Sequence, residues 1–246
     1  MRVPRPVKWS VAVLVLTPPA FFAGLALSGL SRLALPLLPT IVLYPAYFLL
    51  VLKNRLKEAV MLVLGWALVL TLLMIWATIS FGEELGHVVI RGPEYRDEMF
   101  HWILTGEGPE GDPRLFVVPK IREIIVFSLA SFVTLGFAGL LMGAILLNYM
   151  NYYVGALMLH AAPGSEAIVA ILAWPVYAII RVPGYVCLGV ALSRLSLNLV
   201  RERRLKFGEV RRLVYIAAFL IAMDFLLKGT VANALYQPLL KAHTRI

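Results

Sequence analysis

Residues 166–192 read EAIVAILAWPVYAIIRVPGYVCLGVAL, and the number of times this stretch crosses an apolar layer decides the topology of the whole chain. It is apolar enough to span a bilayer, yet Pro175, Arg181, Pro183 and Gly184 interrupt it. Proline removes a helix donor and clashes with the preceding turn. A charge near a bilayer centre costs at least about 2.5–3.5 kcal/mol. Two readings follow. Either Met150–Ala162 is a short ascending span and Glu166–Leu192 a descending one, or Glu166–Leu192 is a re-entrant hairpin that turns near Arg181–Gly184. Non-helical backbone at membrane depth requires protein or water to satisfy it, and Pro-Gly beside an arginine suits such a turn.

The flanking sequence makes the question one of parity. Working back towards the N-terminus, apolar runs lie at about Ile121–Leu147, Ala59–Ser80, Leu33–Leu52 and Trp9–Leu30; forward, one lies at about Leu213–Tyr236. Each has the roughly 20 residues a helix needs to cross the hydrocarbon core. Arg2, Arg5 and Lys8 precede the first run, and Lys53, Arg55 and Lys57 follow the second. Lys and Arg concentrate in cytoplasmic loops, so the N-terminus is expected in the cytoplasm. The stretch 81–120 is then an extracytoplasmic acidic loop. From Phe81 to Glu123 there are nine acids and five bases. Residues 194–212 carry seven bases and two acids, which makes them a basic cytoplasmic segment. With Ile121–Leu147 as one span, Tyr149–Leu192 must cross an even number of times. The expected fold is therefore all-α: a polytopic transmembrane helix bundle of about six spans, forming a single membrane domain over 1–246, with a broken or re-entrant helix near Pro175–Gly184.

Composition agrees. The chain has 246 residues, 61% of them apolar, and its mean hydropathy is +0.84. Only 15% are charged, against about 25% in ordinary soluble domains. A soluble globular fold and a disordered chain are both excluded, and no length remains for a separate soluble catalytic domain. The net charge of +9 fits basic cytoplasmic loops rather than nucleic acid. Cys187 is the only cysteine, which excludes an intrachain disulfide and cysteine-based zinc or iron–sulfur centres. The spacing Ala20, Gly24, Ser28 offers one helix a small-residue packing face, and Gly139-x-x-x-Gly143 offers another.

Three constellations carry the chemistry the sequence admits. The first is intramembrane: Arg181, Asp224 and Lys228 are the charges that topology leaves unexplained. Asp224 is the natural partner of Arg181 across the bundle, and it also stands four residues before Lys228, where a helical pair would neutralise it locally. A packing salt bridge, a polar transport path, and an arginine that lies shallower and snorkels to the interface are the three readings.

The second lies in the acidic loop. Glu84-Leu-Gly-His87 and Glu98-Met-Phe-His101 are both Glu-x-x-His. On a helix each pair shares a face, and two such pairs with further carboxylates form di-metal sites in helical bundles. A metal ion is thus the one cofactor the sequence admits. Pro93–Leu104 in the same loop is expected to form a short interfacial helix, with Phe100, Trp102, Ile103 and Leu104 turned inward. His87, His101, His160 and His243 all fall in loops or at span ends, which argues against bis-histidine haem. No nucleophile, zinc-protease or phosphate-loop motif is present, so no catalytic residue is identified.

The third is the run Arg201, Arg203, Arg204 and Lys206, interleaved with Leu199, Val200, Leu205 and Phe207. It suits anionic lipid headgroups or an acidic partner. The run from Pro175 through Arg181 and Gly184 to Gly189 resembles, over 15 residues, the arginine-bearing helix of rotary ATP synthase subunit a. The likeness stops there. The asparagine that follows the first glycine in that family is Tyr185 here, and its long polar final helix is absent.

Three functional classes remain. The first is an integral subunit or scaffold of the cell membrane, packed against the lipid bilayer and against other membrane protein subunits or copies of itself. The second is a transporter or channel using Arg181 and Asp224. The third is a metal-dependent membrane enzyme using Glu84, His87, Glu98 and His101.

Overall fold

The computed structural model describes the backbone from Pro6 and the side chains from Ser10. Arg2, Arg5 and Lys8, the charges that orient the N-terminus in the sequence reading, lie outside the described side chains. The molecule is an all-α bundle, 84% helical and without strands among the described residues. Ten α-helices follow in order: α1 Pro6–Leu27, α2 Ala34–Leu52, α3 Leu56–Phe81, α4 Gly92–Thr105, α5 Pro113–Val133, α6 Phe137–Leu159, α7 Glu166–Leu172, α8 Val176–Glu202, α9 Phe207–Val231 and α10 Gln237–His243. A 3-10 turn at Glu83–Val88 leads into α4, and a π-helical turn at Ala232–Tyr236 joins α9 to α10.

Six of these helices are long and apolar enough to cross a membrane: α1, α2, α3, α6, α8 and the continuous rod from Phe207 to His243. Leucine and alanine carry them with little intrinsic helix cost, and the broad exposed faces of Met61, Leu68, Leu72 and Trp76 on α3 are what lipid contact requires. The small-residue face of α1 does what its spacing implies. Gly24 lies so close to α2 that an added Cβ would stand 2.8 Å from the Ala34 carbonyl oxygen.

The parity question is resolved at an unexpected place. The expected single span over Ile121–Leu147 does not exist. The backbone turns back within it, with Leu135 at φ 54° and Gly136 at φ 95°, and α5 and α6 form an antiparallel hairpin. The turn is closed by the Gly136 amide donating to the Ser131 carbonyl at 2.7 Å. α6 then continues through Met150 to Leu159, so no separate span at Met150–Ala162 is needed. Arg181–Gly184 is not a re-entrant turn either. The break falls earlier, at Ala173–Pro175, and α8 runs uninterrupted from Val176 to Glu202 with Pro183 inside it. Beside Pro183 the helix packs tightly on α9: an added Cβ on Gly184 would meet Leu220 and Ile221 at 3.2–3.3 Å.

The bundle has two chemically distinct ends. At the basic end, Arg194 is held by Glu209 at 2.7 Å and by the Val51 carbonyl at 3.1 Å, tying α8 to α9 and α2. At the acidic-loop end, Glu83 joins Arg96 and His160, both at 2.5 Å, linking α3, α4 and α6. The expected interfacial helix is α4. Trp102 and Ile103 are buried, whereas Phe100 is half-buried and Leu104 is exposed. Its apolar face meets α6 and α10 rather than lipid alone. Its C-terminal carbonyls, orphaned in any helix, accept from neighbours: Ile103 from Gln237 at 2.6 Å and Leu104 from Lys241 at 2.7 Å.

Candidate functional site

Three helices and the acidic loop deliver six ionisable side chains to one region of the bundle. Asp224 is fully buried. Its carboxylate accepts three hydrogen bonds of 3.1 Å from Arg181 and contacts the Lys120 ammonium at 2.8 Å. Lys228, also buried, donates to Glu110 at 2.9 Å and stands 5.0 Å from the Phe116 ring centroid. Glu123 accepts from the Tyr185 hydroxyl at 2.6 Å. Three bases and three acids leave no net charge. Isolated ions are prohibitively costly in an apolar interior and must be paired and hydrogen-bonded.

Helix periodicity explains why these residues meet. On α9 the buried positions are Val210, Ala217, Asp224 and Lys228, so Asp224 occupies the third place of a seven-residue stripe. On α5 they are Phe116, Lys120, Phe127 and Ser131, so Lys120 lies in the apolar stripe of that helix. Arg181 projects from α8 between them. It stands five residues after the start of α8 at Val176, or roughly 8 Å along the axis. The cluster therefore lies under the acidic-loop end, not at mid-bundle as the centred position of Arg181 in the sequence implied.

The structure brings Arg181 and Asp224 together as expected. It does not form the local Asp224–Lys228 pair. Lys228 reaches the loop instead and binds Glu110, while Lys120 takes its place beside Asp224. The sequence reading assigned Lys120, Glu110 and Glu123 to the solvated loop or its margin. The signal that finds Lys120 is its four-residue spacing from Phe116 and seven-residue spacing to Phe127.

The two Glu-x-x-His pairs do not converge. His87 lies in the 3-10 turn, where its Nδ1 contacts the Glu84 carbonyl oxygen. Glu98 and His101 lie on α4. Among the described residues no three His, Cys, Asp or Glu side chains are grouped closely enough to hold a metal ion. The acidic residue in a network there is Glu83, which the motif does not include. Arg201, Arg203, Arg204 and Lys206 are exposed at the junction of α8 and α9, with Lys206 paired to Glu202 at 2.5 Å. Burial pushes the Tyr95 phenol on α4 well above its ordinary range, so it stays a neutral hydroxyl beside the cluster.

Two cavities meet Arg181 from opposite sides. The smaller, about 20 Å³, lies towards the acidic loop between Tyr95, Met99, Glu110 and Pro175. The larger, about 100 Å³, is a partly open cleft between α3, α5, α6 and α8. Its far end is at Gly136, and its wall is almost wholly apolar. No family model, curated protein or solved structure matches the chain.

Proposed function

We propose that this multi-pass membrane protein is an integral subunit or scaffold, with no chemistry of its own, oriented with its N-terminus and the Arg194–Arg212 segment in the cytoplasm. One observation carries the reading: the buried charges are consumed by one another. Asp224 has no exposed surface and is closed by two cations of its own chain, and Lys228 is closed by Glu110. Such a cluster braces α5, α8, α9 and the acidic loop into one unit, and it offers no free acid, base or nucleophile to a substrate. The exposed Arg201, Arg203, Arg204 and Lys206 suit anionic lipid headgroups at the cytoplasmic surface, and the apolar outer faces suit lipid and neighbouring membrane subunits or a second copy.

A transporter or channel is the second reading, favoured by the position of Arg181 between two cavities. One experiment separates them. The full chain is reconstituted into liposomes containing anionic lipid, and proton, potassium and chloride fluxes are recorded under an imposed potential. The scaffold reading expects fluxes equal to those of protein-free liposomes, and no change in Arg181→Gln. A protein-dependent flux that Arg181→Gln alters overturns it in favour of transport.

A further inference from the structure

The smaller cavity beside Arg181 lies between the two ion-paired groups. Tyr95 on α4, Glu110 in the acidic loop, Tyr153 on α6 and Arg181 on α8 all line it, together with apolar residues that include Met99 and Ala178. Each of the four polar residues keeps one atom that no described residue takes up. Arg181 gives its Nε and Nη2 to Asp224 and keeps Nη1. Glu110 gives its Oε2 to Lys228 and keeps Oε1. The Tyr95 and Tyr153 rings pack edge to face, and neither hydroxyl has a hydrogen bond to a described residue. None of these four atoms is sealed in. The buried polar atoms that lack both a partner and accessible surface lie elsewhere, on Trp66, Ser131, Asn148, Asn151 and Tyr177.

We infer that this cavity is the site of a single ordered water that bridges Arg181 to Glu110. The water joins the Arg181–Asp224–Lys120 group and the Lys228–Glu110 pair into one network. Size selects the occupant. A volume of about 20 Å³ exceeds the roughly 10–15 Å³ that one water needs and is too small for an organic guest. Charge selects it as well: a cation would meet the Arg181 guanidinium and an anion the Glu110 carboxylate, so the guest is neutral. Water matches the wall atom by atom. It accepts from Arg181 Nη1, which can only donate, and donates to Glu110 Oε1, which can only accept; the two phenols take either remaining role. Buried waters make about three such bonds and sit where polar groups otherwise lack partners, and a buried polar group left unpaired is costly. The site stands whether the chain is a scaffold or a transporter, because occupancy by water and flux of ions are separate observables.

The test is radiolytic footprinting of the full chain in phosphatidylcholine nanodiscs, read by mass spectrometry. X-rays split water wherever it lies, bound or bulk, and the hydroxyl radical oxidises an adjacent methionine. Photolysis of hydrogen peroxide makes the same radical in bulk solvent. Met99 lines the cavity and is 4% exposed, whereas Met74 on α3 is fully buried and away from it. X-rays are expected to oxidise Met99 several times faster than Met74, and peroxide photolysis to leave the two alike. Ala178→Leu, whose side chain fills the cavity, is expected to bring the X-ray rate at Met99 down to that at Met74. Equal X-ray rates at Met99 and Met74 in the wild type overturn the inference. So does oxidation of Met99 in the same excess by both radical sources, which marks contact with bulk solvent, and so does undiminished X-ray oxidation in a folded Ala178→Leu. If Ala178→Leu fails to fold by circular dichroism, the contrast between the two radical sources in the wild type decides.

Discussion

The Lys120 ammonium on α5 lies 2.8 Å from a carboxylate oxygen of Asp224 on α9, although 103 residues separate the two in sequence. Arg181 binds the same carboxylate from α8. A single acid thus compensates two bases, and the three substitutions should be unequal. Asp224→Ala leaves two buried cations without a counter-ion and is expected to destabilise the fold by about 3–5 kcal/mol. Lys120→Met leaves a balanced Arg181–Asp224 pair and should cost far less. Thermal unfolding in detergent micelles measures both, and equal losses would refute the asymmetry.

The Lys228–Glu110 pair anchors the acidic loop to the end of α9. Lys228→Met strands the Glu110 carboxylate beneath the loop, with an expected loss of about 3–5 kcal/mol. The double variant Lys228→Met, Glu110→Leu removes both charges and should recover most of it. Stability measured across the four-member cycle gives the coupling directly.

The hairpin between α5 and α6 depends on Gly136. At φ 95° an alanine is strained, and its Cβ would stand 2.4 Å from the Ser193 hydroxyl and 2.8 Å from the Tyr47 ring. Gly136→Ala should cost about 1–3 kcal/mol. Leu135, at φ 54°, occupies a conformation that glycine adopts without strain, so Leu135→Gly should be tolerated better than Gly136→Ala. Unfolding curves of the two variants rank them.

Arg194 joins a carboxylate and a backbone carbonyl on two different helices at the basic end. A lysine carries the charge but not the planar fork. Arg194→Lys is expected to lose about 1–3 kcal/mol, and Arg194→Met more, because Glu209 then loses its charged partner and keeps only the Asn198 amide at 3.3 Å. Hydrogen exchange at the α8–α9 junction should rise in the same order.

Topology is open to direct labelling. In a Cys187→Ala background, a cysteine at Arg203 and one at Glu107 should react with an impermeant maleimide from opposite sides of intact cells or right-side-out vesicles. Reaction of both from one side would contradict the hairpin at Leu135–Gly136, because that turn supplies the pass that separates them.

Much of this architecture is legible in the sequence because hydropathy and length suffice to locate α1, α2, α3 and α9, and because turn chemistry at Gly92-Pro93 marks the start of α4; α8 is not, because Pro183-Gly184 beside Arg181 reads as a turn where the helix in fact continues. The α5–α6 turn is not legible for a physical reason. Thr134-Leu135-Gly136 sits inside an unbroken apolar run, and a leucine in the left-handed region gives no compositional warning. The one available sign was length, since Ile121–Leu147 exceeds what a single span needs. Half of the charge cluster is legible: Arg181, Asp224 and Lys228 stand out against apolar neighbours. Lys120, Glu110 and Glu123 do not, because each lies among other charges, and only the buried stripe on α5 separates Lys120 from Arg122.

The distance in sequence between Lys120 and Asp224 bears on how the chain enters its bilayer. α5 leaves the ribosome well before α9 exists, so for that interval Lys120 has no carboxylate to meet within the apolar layer. α5 is also the long helix that fails the apolarity expected of a self-inserting segment. The buried position of Lys120 is thus satisfied by a helix whose aspartate is synthesised after 103 intervening residues.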